Sequence, residues 1–240
     1  MIIKTYGNFE KRKLVLLHPL FSDNTIFNKL ITKLSKDYYI IIPILSGHYP
    51  NSTYVSIQKE ELELSIYFKS HNINKIDLMI GFSIGGNIAY DYFYKNTDFI
   101  DKVIIDSAPL LKFPYIIKRF KYKEYRNTII NVLKNKNTRT NILNEAFPFL
   151  GEYQKDVAPL MNERSLKNIV ETCYNVRIHN LSPKNQSKIT FVYGTKDKNN
   201  ICLKRLKRYK NSNFISVLNA SCCQYFIAKP TSYIKNIISK

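Results

Sequence analysis

The stretch from residue 76 to residue 95, IDLMIGFSIGGNIAYDYFYK, places the narrowest constraint on the fold. A short apolar run leads through a glycine-rich turn around Ser83 into a segment with apolar residues at three- and four-residue spacing. This order predicts a buried strand, a sharp turn and a helix. The turn has the spacing G-x-S-x-G, in which small neighbours let a serine adopt a strained conformation at a strand-to-helix turn. The pattern predicts a nucleophile at Ser83, and a turn that matches by chance is the alternative.

Strand-like and helix-like segments alternate before residue 110 and again after residue 181. This alternation predicts an α/β fold, with a mainly parallel sheet and helices on both faces. The core would comprise residues 1–109 and 182–240. The segment 110–181 has almost no strand signal and predicts an inserted helical lid, with helices around 115–120, 125–133, 138–147 and 164–176. Ligands of such sheets bind outside the carboxyl ends of the strands, which is where Ser83 is expected.

The basic charge is concentrated in the second half of the chain. Residues 1–108 contain 12 Lys/Arg and 11 Asp/Glu, whereas residues 109–240 contain 25 and 7. No nucleic-acid-binding motif accompanies this excess, so we interpret most of the lysines as surface residues and expect neither nucleic acid nor a membrane as partner. No apolar run is long enough to cross a bilayer, and the first residues lack the pattern of a signal peptide, so we expect a cytoplasmic protein.

The four cysteines, Cys173, Cys202, Cys222 and Cys223, do not form a C-x-x-C motif. Their spacing favours reduced thiols over a disulfide framework or a metal site. We therefore expect no metal and no cofactor. The sequence does not predict an oligomeric state.

Four segments together resemble the α/β-hydrolase family over essentially the whole chain. They are LVLLHPLFSDNTIFNKL (14–30), IIPILSGHYP (41–50), IGFSIGGNIA (80–89) and ITFVYGTKD (189–197). The resemblance implies the α/β-hydrolase fold, a cap in the position of the predicted lid, and catalytic residues in the chain order serine, acid, histidine.

The resemblance also implies roles for individual residues. Ser83 is the candidate nucleophile, and the backbone N–H groups of Ile84 and Leu20 are the candidate oxyanion-hole donors. Asp197 is the candidate acid, although a turn aspartate that caps the following helix would give the same pattern. Asp106, at the end of an earlier strand, is a weaker alternative.

The chain departs from the family at the catalytic base. The family carries a histidine after the last strand, whereas here Cys222 matches that position. A thiol relays protons poorly. His18 and His48 follow strands at the active-site edge, where we expect them to brace loops; His48 as a substitute base is the less favoured alternative.

Three functional hypotheses follow. The first is a serine hydrolase of low activity that acts on a small ester or thioester through Ser83. The second is a catalytically impaired relative that binds a small apolar ligand between lid and sheet. The third is a protein that binds polyanions through its basic second half.

Overall fold

The computed structural model describes residues 1–239, and in it seven strands form one mixed sheet in the order β1-β3-β2-β4-β5-β6-β7. Residue 240, the last of the predicted core, lies outside this range. The strands are β1 (Ile2–Tyr6), β2 (Arg12–Leu17), β3 (Tyr38–Ile44), β4 (Ile76–Phe82), β5 (Ile100–Asp106), β6 (Ile189–Gly194) and β7 (Asn213–Val217).

The sheet confirms the predicted parallel architecture. Strand β1 pairs antiparallel with β3 at one edge, and every other neighbouring pair is parallel. The central strands are apolar because they are covered on both faces: residues 78–82 of β4 and residues 189–194 of β6 are buried. The carboxyl ends of β2, β4, β5 and β6 therefore meet at one edge of the sheet.

Eleven α-helices are found among residues 1–239. They are α1 (Asn28–Leu34), α2 (Ile57–Ser70), α3 (Ile84–Lys95), α4 (Tyr115–Lys134), α5 (Arg139–Ala146), α6 (Gly151–Gln154), α7 (Glu163–Cys173), α8 (Pro183–Gln186), α9 (Leu203–Leu206), α10 (Gln224–Ala228) and α11 (Pro230–Tyr233). Short 3₁₀ segments cover Asn24–Phe27, Lys136–Thr138, Ala158–Leu160 and Lys198–Cys202, and a π-helical turn covers Ile234–Ile238. Within the described range no helix combines the length and apolarity that a bilayer crossing requires.

Helices α4 to α7 lie between β5 and β6, in the segment predicted to be helical. The predicted break between residues 120 and 125 is wrong, because α4 runs without interruption from Tyr115 to Lys134. Residues 121–124, KYKE, contain neither proline nor glycine, and lysine and glutamate are good helix formers. Helix α4 packs against α5 and α7, so these helices form one cluster.

Candidate active site

Ser83 lies between β4 and α3 with φ 51° and ψ −117°, a conformation that L-residues rarely adopt. Its N–H donates to Asp106 O (2.8 Å), and Gly86 N–H donates back to Ser83 O (2.9 Å). Helix α3 begins at the next residue, so its N-terminal end lies beside the serine and favours negative charge there. Ser83 therefore lies at a strand-to-helix turn in a strained backbone conformation.

The neighbouring glycines allow the turn to close. A Cβ atom on Gly81 would lie 2.4 Å from Gly85 O and 2.6 Å from Gly86 Cα. A Cβ on Gly85 would lie 2.4 Å from Leu17 O, at the end of strand β2. Because these are contacts with backbone, no side-chain rotation could relieve them. The turn is therefore packed directly against its own helix and against the adjacent strand.

Two backbone N–H groups that follow the carboxyl ends of the adjacent strands β2 and β4 lack an acceptor in the described chain. Neither Leu20 N–H nor Ile84 N–H has an acceptor among residues 1–239. Pro19 precedes Leu20 and has no N–H of its own, so Leu20 supplies the first donor of this loop. Leu20 is 3% exposed and Ile84 is 2% exposed, so water has little access to either residue.

His18 braces the loop that carries Leu20. Its Nε2 accepts a hydrogen bond from Leu45 N–H (3.0 Å), which leaves Nδ1–H to donate to Pro19 O (2.8 Å). Burial lowers the pKa of His18 to about 4, so the ring is neutral near neutral pH. The ring of His48 meets it edge-on at 4.8 Å, and burial lowers the pKa of His48 as well. Neither imidazole lines the cavity around Ser83.

A second brace of the same loop comes from helix α6. Gln154 is fully buried and its Nε2 donates to Leu20 O (2.8 Å). Phe21, the next residue, has φ 61°. The side chain of Gln154 thus fixes the carbonyl of Leu20 just before a left-handed residue. It also connects helices α4–α7, called the helical insertion below, to the loop that carries the Leu20 N–H.

Asp197 follows β6 and is 3% exposed. Its Oδ1 accepts from Asn199 N–H (2.8 Å), while its Oδ2 is buried and has no hydrogen-bond partner among the described residues. Burial raises the pKa of Asp197, and the bond from Asn199 opposes that rise. A buried carboxylate oxygen without a donor is uncommon, because leaving such a group unpaired costs free energy.

Cys222 follows β7 and is half-buried at the edge of the same cavity. Its Sγ lies 3.6 Å from Sγ of Cys223, which is buried and has a left-handed backbone with φ 59°. Burial raises the pKa of the Cys223 thiol well above its usual value. Neither cysteine donates to Asp197 or to Ser83, so no side chain within residues 1–239 bridges the acid and the serine.

A buried network supports the loops that carry Asp197 and Cys222. Ser107 Oγ donates to Asp106 Oδ1 (2.8 Å) and accepts from Cys223 N–H (3.1 Å), and Ser107 O accepts from Asn199 Nδ2 (2.8 Å). Tyr233 OH donates to Asp106 Oδ2 (2.9 Å). Burial raises the pKa of Asp106 to about 7, although both hydrogen bonds oppose the rise. Asp106, the weaker candidate acid, therefore does not line the Ser83 cavity, and both of its carboxylate oxygens already accept hydrogen bonds.

Ser83, Asp197 and Cys222 line one cavity of about 250 Å³. The opposite wall comes from the helical insertion. Its apolar members are Tyr125, Ala146, Phe147, Pro148, Leu150 and Tyr174, and its charged members are Lys121, Glu124 and Glu145. The hydroxyls of Tyr125 and Tyr174 are hydrogen-bonded to each other. No histidine of the described chain lines this cavity.

Comparison of the whole chain with solved structures identifies its architecture. An enol-lactonase from Burkholderia xenovorans superposes with a TM-score of 0.77 at 13% sequence identity, covering 99% of this chain and 95% of that one. An esterase of a marine microorganism gives 0.76 at 16% identity, with 99% and 98% covered. An alpha/beta hydrolase enzyme from a sediment metagenome of the Mar Chica lagoon gives 0.60 at 15%, with 99% and 92% covered.

The chain has the α/β-hydrolase fold. This confirms the fold implied by the four sequence segments. No protein-family model and no curated protein matches the sequence. Identities of 13–16% establish the α/β-hydrolase fold without its chemistry, so function depends on the residues of the site.

Sequence analysis did not find Gln154, Ser107 or the Tyr125–Tyr174 pair. Gln154 contacts a residue 134 positions away, and no local pattern signals such a contact. Ser107 has φ 59°, a conformation more typical of glycine or asparagine, so its residue type gives no indication of its position. The apolar run that ends at Asp106 predicts the strand before Ser107, but it does not indicate the hydrogen bonds that Ser107 makes.

Proposed function

We propose that this protein is a serine hydrolase of low turnover that acts on a small ester or thioester through Ser83. The observation that carries the proposal is the strained backbone of Ser83 at the start of α3, supported by the N–H groups of Ile84 and Leu20, which have no acceptor among residues 1–239. A serine with only a structural role in a turn would need neither a strained backbone nor nearby N–H groups that lack an acceptor. The structural neighbours that are named as an esterase and an enol-lactonase support the same reaction class.

The proposed reaction is acyl transfer. Ser83 Oγ attacks the substrate carbonyl while its hydroxyl proton passes to water, and the N–H groups of Leu20 and Ile84 stabilise the oxyanion that forms. The carbon–oxygen or carbon–sulfur bond of the leaving group then breaks, water returns a proton to the departing alcohol or thiol, and the acyl group stays on Ser83. Water hydrolyses this acyl-enzyme and regenerates the serine.

The cavity favours a small substrate with an apolar acyl group. Its volume of about 250 Å³ lies below the range of roughly 300–1,000 Å³ that is typical of sites for drug-sized ligands. Phe147, Leu150 and the Tyr125–Tyr174 pair face the serine and provide apolar surface.

Low turnover follows from the absence of an imidazole in the cavity. A serine hydroxyl is a weak nucleophile unless a neighbouring group accepts its proton, and we take Cys222 to occupy the position of that base. In a comparable triad, loss of the base alone costs a factor on the order of 10⁶, while the oxyanion hole and binding retain roughly 10³–10⁴ over water. Asp197 Oδ2, which lacks a donor, is the oxygen that an imidazole N–H could engage.

The alternative function is binding of a small apolar ligand without turnover. It is favoured by the same unpaired Asp197 Oδ2, because a site under selection for acyl transfer would be expected to supply its partner. In that case the lid and the cavity remain, while the chemistry at Ser83 is lost.

The decisive experiment compares the wild type with Cys222→His, Ser83→Ala and the double variant on a p-nitrophenyl ester. We expect slow turnover by the wild type and little further loss in Ser83→Ala, since members of a triad act non-additively. Cys222→His should raise kcat by at least about tenfold, or ~1.4 kcal/mol of barrier, and the gain should vanish in the double variant. If the wild type and Cys222→His are both inert, the ligand-binding alternative is correct. Brisk wild-type turnover that Cys222→His slows would point to another base.

A further inference from the structure

A large cavity of the described chain lies apart from Ser83. It has a volume of about 980 Å³ and shares no lining residue with the Ser83 cavity. Its walls come from the end of α3, the start of the helical insertion, the segment after α7 and the region of α9. The lining residues are Tyr94, Lys112, Asn175, Val176, Arg177, Ile178, His179, Asn180, Arg205 and Arg208.

Four of these residues carry a permanent positive charge, and none of the lining residues is acidic. Lys112, Arg177, Arg205 and Arg208 have no carboxylate within 4.0 Å among residues 1–239. The cations come from three separate parts of the chain and converge on one concave surface. A cleft lined by charge of one sign concentrates counter-ions more strongly than the same charges spread over a convex surface.

Within residues 1–239, Asp91 is the one acidic residue with a carboxylate within 4.0 Å of a basic nitrogen of the cavity lining, and it is already engaged. Asp91 Oδ1 lies 3.5 Å from His179 Nε2, while Asp91 Oδ2 lies 2.7 Å from Lys95 Nζ. The carboxylate of Asp91 therefore interacts with His179 and Lys95, and it forms no ion pair with the arginines of the cavity.

The floor of the cavity is held in place by buried contacts. The backbone of His179 is fixed by two buried tyrosines, because its N–H donates to Tyr90 OH (2.9 Å) and its carbonyl accepts from Tyr209 OH. Its ring stacks on Tyr94 with centroids 3.7 Å apart and planes 10° apart. The guanidinium of Arg208 donates to Asn180 Oδ1, which orients it along the cavity wall. The backbone of His179 and the side chain of Arg208 are therefore held in place by the protein itself.

We propose that this cavity binds a compact polyanion of linked phosphates, such as a triphosphate group. Arginine guanidinium groups match phosphate oxygens as planar, two-pronged donors, and three of the four cations are arginines. The volume lies at the upper end of the range for small-molecule sites. Proteins that bind nucleic acid usually present an extended stripe of cations along its backbone, whereas the four cations here surround one cavity.

The test measures binding of inorganic triphosphate to the full chain by isothermal titration calorimetry at physiological salt. The cavity variant is Arg177→Ala with Arg205→Ala. The matched control is Lys204→Ala with Lys207→Ala, which removes the same charge from exposed residues of the α9 region outside the cavity. We expect the cavity variant to weaken binding at least about tenfold and the control less than about twofold. All four residues are exposed, so equal thermal unfolding midpoints should confirm that both variants fold.

Three results would overturn the proposal. The first is equal weakening by the two variants, and the second is wild-type binding that disappears at moderate salt; either would mean that triphosphate responds only to overall charge. The third is a duplex RNA that binds the wild type more tightly than triphosphate and that both variants weaken equally, which would assign the basic half to nucleic acid. None of these results depends on esterase activity, so the proposed hydrolase function stands or falls separately.

Discussion

The two sides of the Ser83 cavity are built differently. On the side of the proposed nucleophile, Gly81 and Gly85 are packed against backbone so closely that a single added Cβ would collide. On the base side, Asp197 and Cys222 lie on loops that are joined by side-chain hydrogen bonds through Ser107. Backbone packing allows almost no substitution, whereas loop side chains can change without disturbing the sheet.

This difference predicts that the two sides tolerate substitution differently. The strand-to-helix turn at Ser83, called the elbow below, is part of the core, because α3 packs on β4 and β5. A change at Cys222 removes little buried area, since the side chain is half-buried. We therefore expect substitutions on the base side to affect activity and its pH dependence, and those on the nucleophile side to affect folding.

The largest expected effect concerns Asp106, which supports the base side. Its pKa in the folded state is about 7, against a reference value of 3.8. The folded state therefore retains a proton that the unfolded state releases, so this contribution to stability is complete below about pH 4 and is lost as the pH rises to 7. The shift corresponds to an upper limit on the order of 4 kcal/mol.

The variant Asp106→Asn should flatten the decline of unfolding free energy between pH 4 and 8. Urea denaturation at several pH values measures it, and Asp101→Asn, an exposed residue of the same strand, is the charge-matched control. Parallel pH profiles for the wild type and Asp106→Asn would show that Asp106 does not hold a proton in the folded state.

On the nucleophile side, Gly81→Ala should destabilise the fold by about 3 kcal/mol, because the added methyl group meets backbone atoms of Gly85 and Gly86. Cys222→Ala, on the base side, should cost less than about 1 kcal/mol. Denaturant midpoints compare the two variants directly. Equal losses would mean that the two sides tolerate substitution equally, contrary to the comparison.

The parts of the molecule that the sequence predicts are those set by local pattern. Buried strands appear as continuous apolar runs, and the elbow has a fixed glycine spacing, so the sheet and the position of Ser83 follow from short segments. The Asp106–Ser107–Cys223 network joins residues more than a hundred positions apart, and residue type alone does not indicate it. Likewise, the convergence of Lys112, Arg177 and Arg205 on one cavity depends on the tertiary fold, which brings three separate segments together, whereas the sequence shows only an excess of charge.

The next prediction tests whether Asp197 belongs to a functional set. In the Cys222→His background, Asp197→Asn should remove most of the at least tenfold gain in kcat, about 1.4 kcal/mol, because the new imidazole loses the group that orients it. In the wild type the same change should alter kcat less than about twofold, since no imidazole is present. Steady-state assays of the four proteins measure both effects. A large loss in the wild type would show that Asp197 already acts in catalysis without a histidine.

The smallest expected effect measures the strain at the elbow itself. Ser83 has φ 51° and ψ −117°, and a conformation of this kind costs a non-glycine residue about 1–3 kcal/mol. Glycine adopts it freely but gains about 0.4–1 kcal/mol of freedom in the unfolded chain. Ser83→Gly should therefore raise the unfolding free energy by ~1 kcal/mol. Ser83→Ala is the matched control: it removes the hydroxyl, keeps the Cβ and should stay within about 0.5 kcal/mol of the wild type. Chemical denaturation of the three proteins gives the comparison. If the glycine variant is less stable than the alanine variant, the elbow holds Ser83 without strain, and its unusual backbone angles would no longer support a nucleophile.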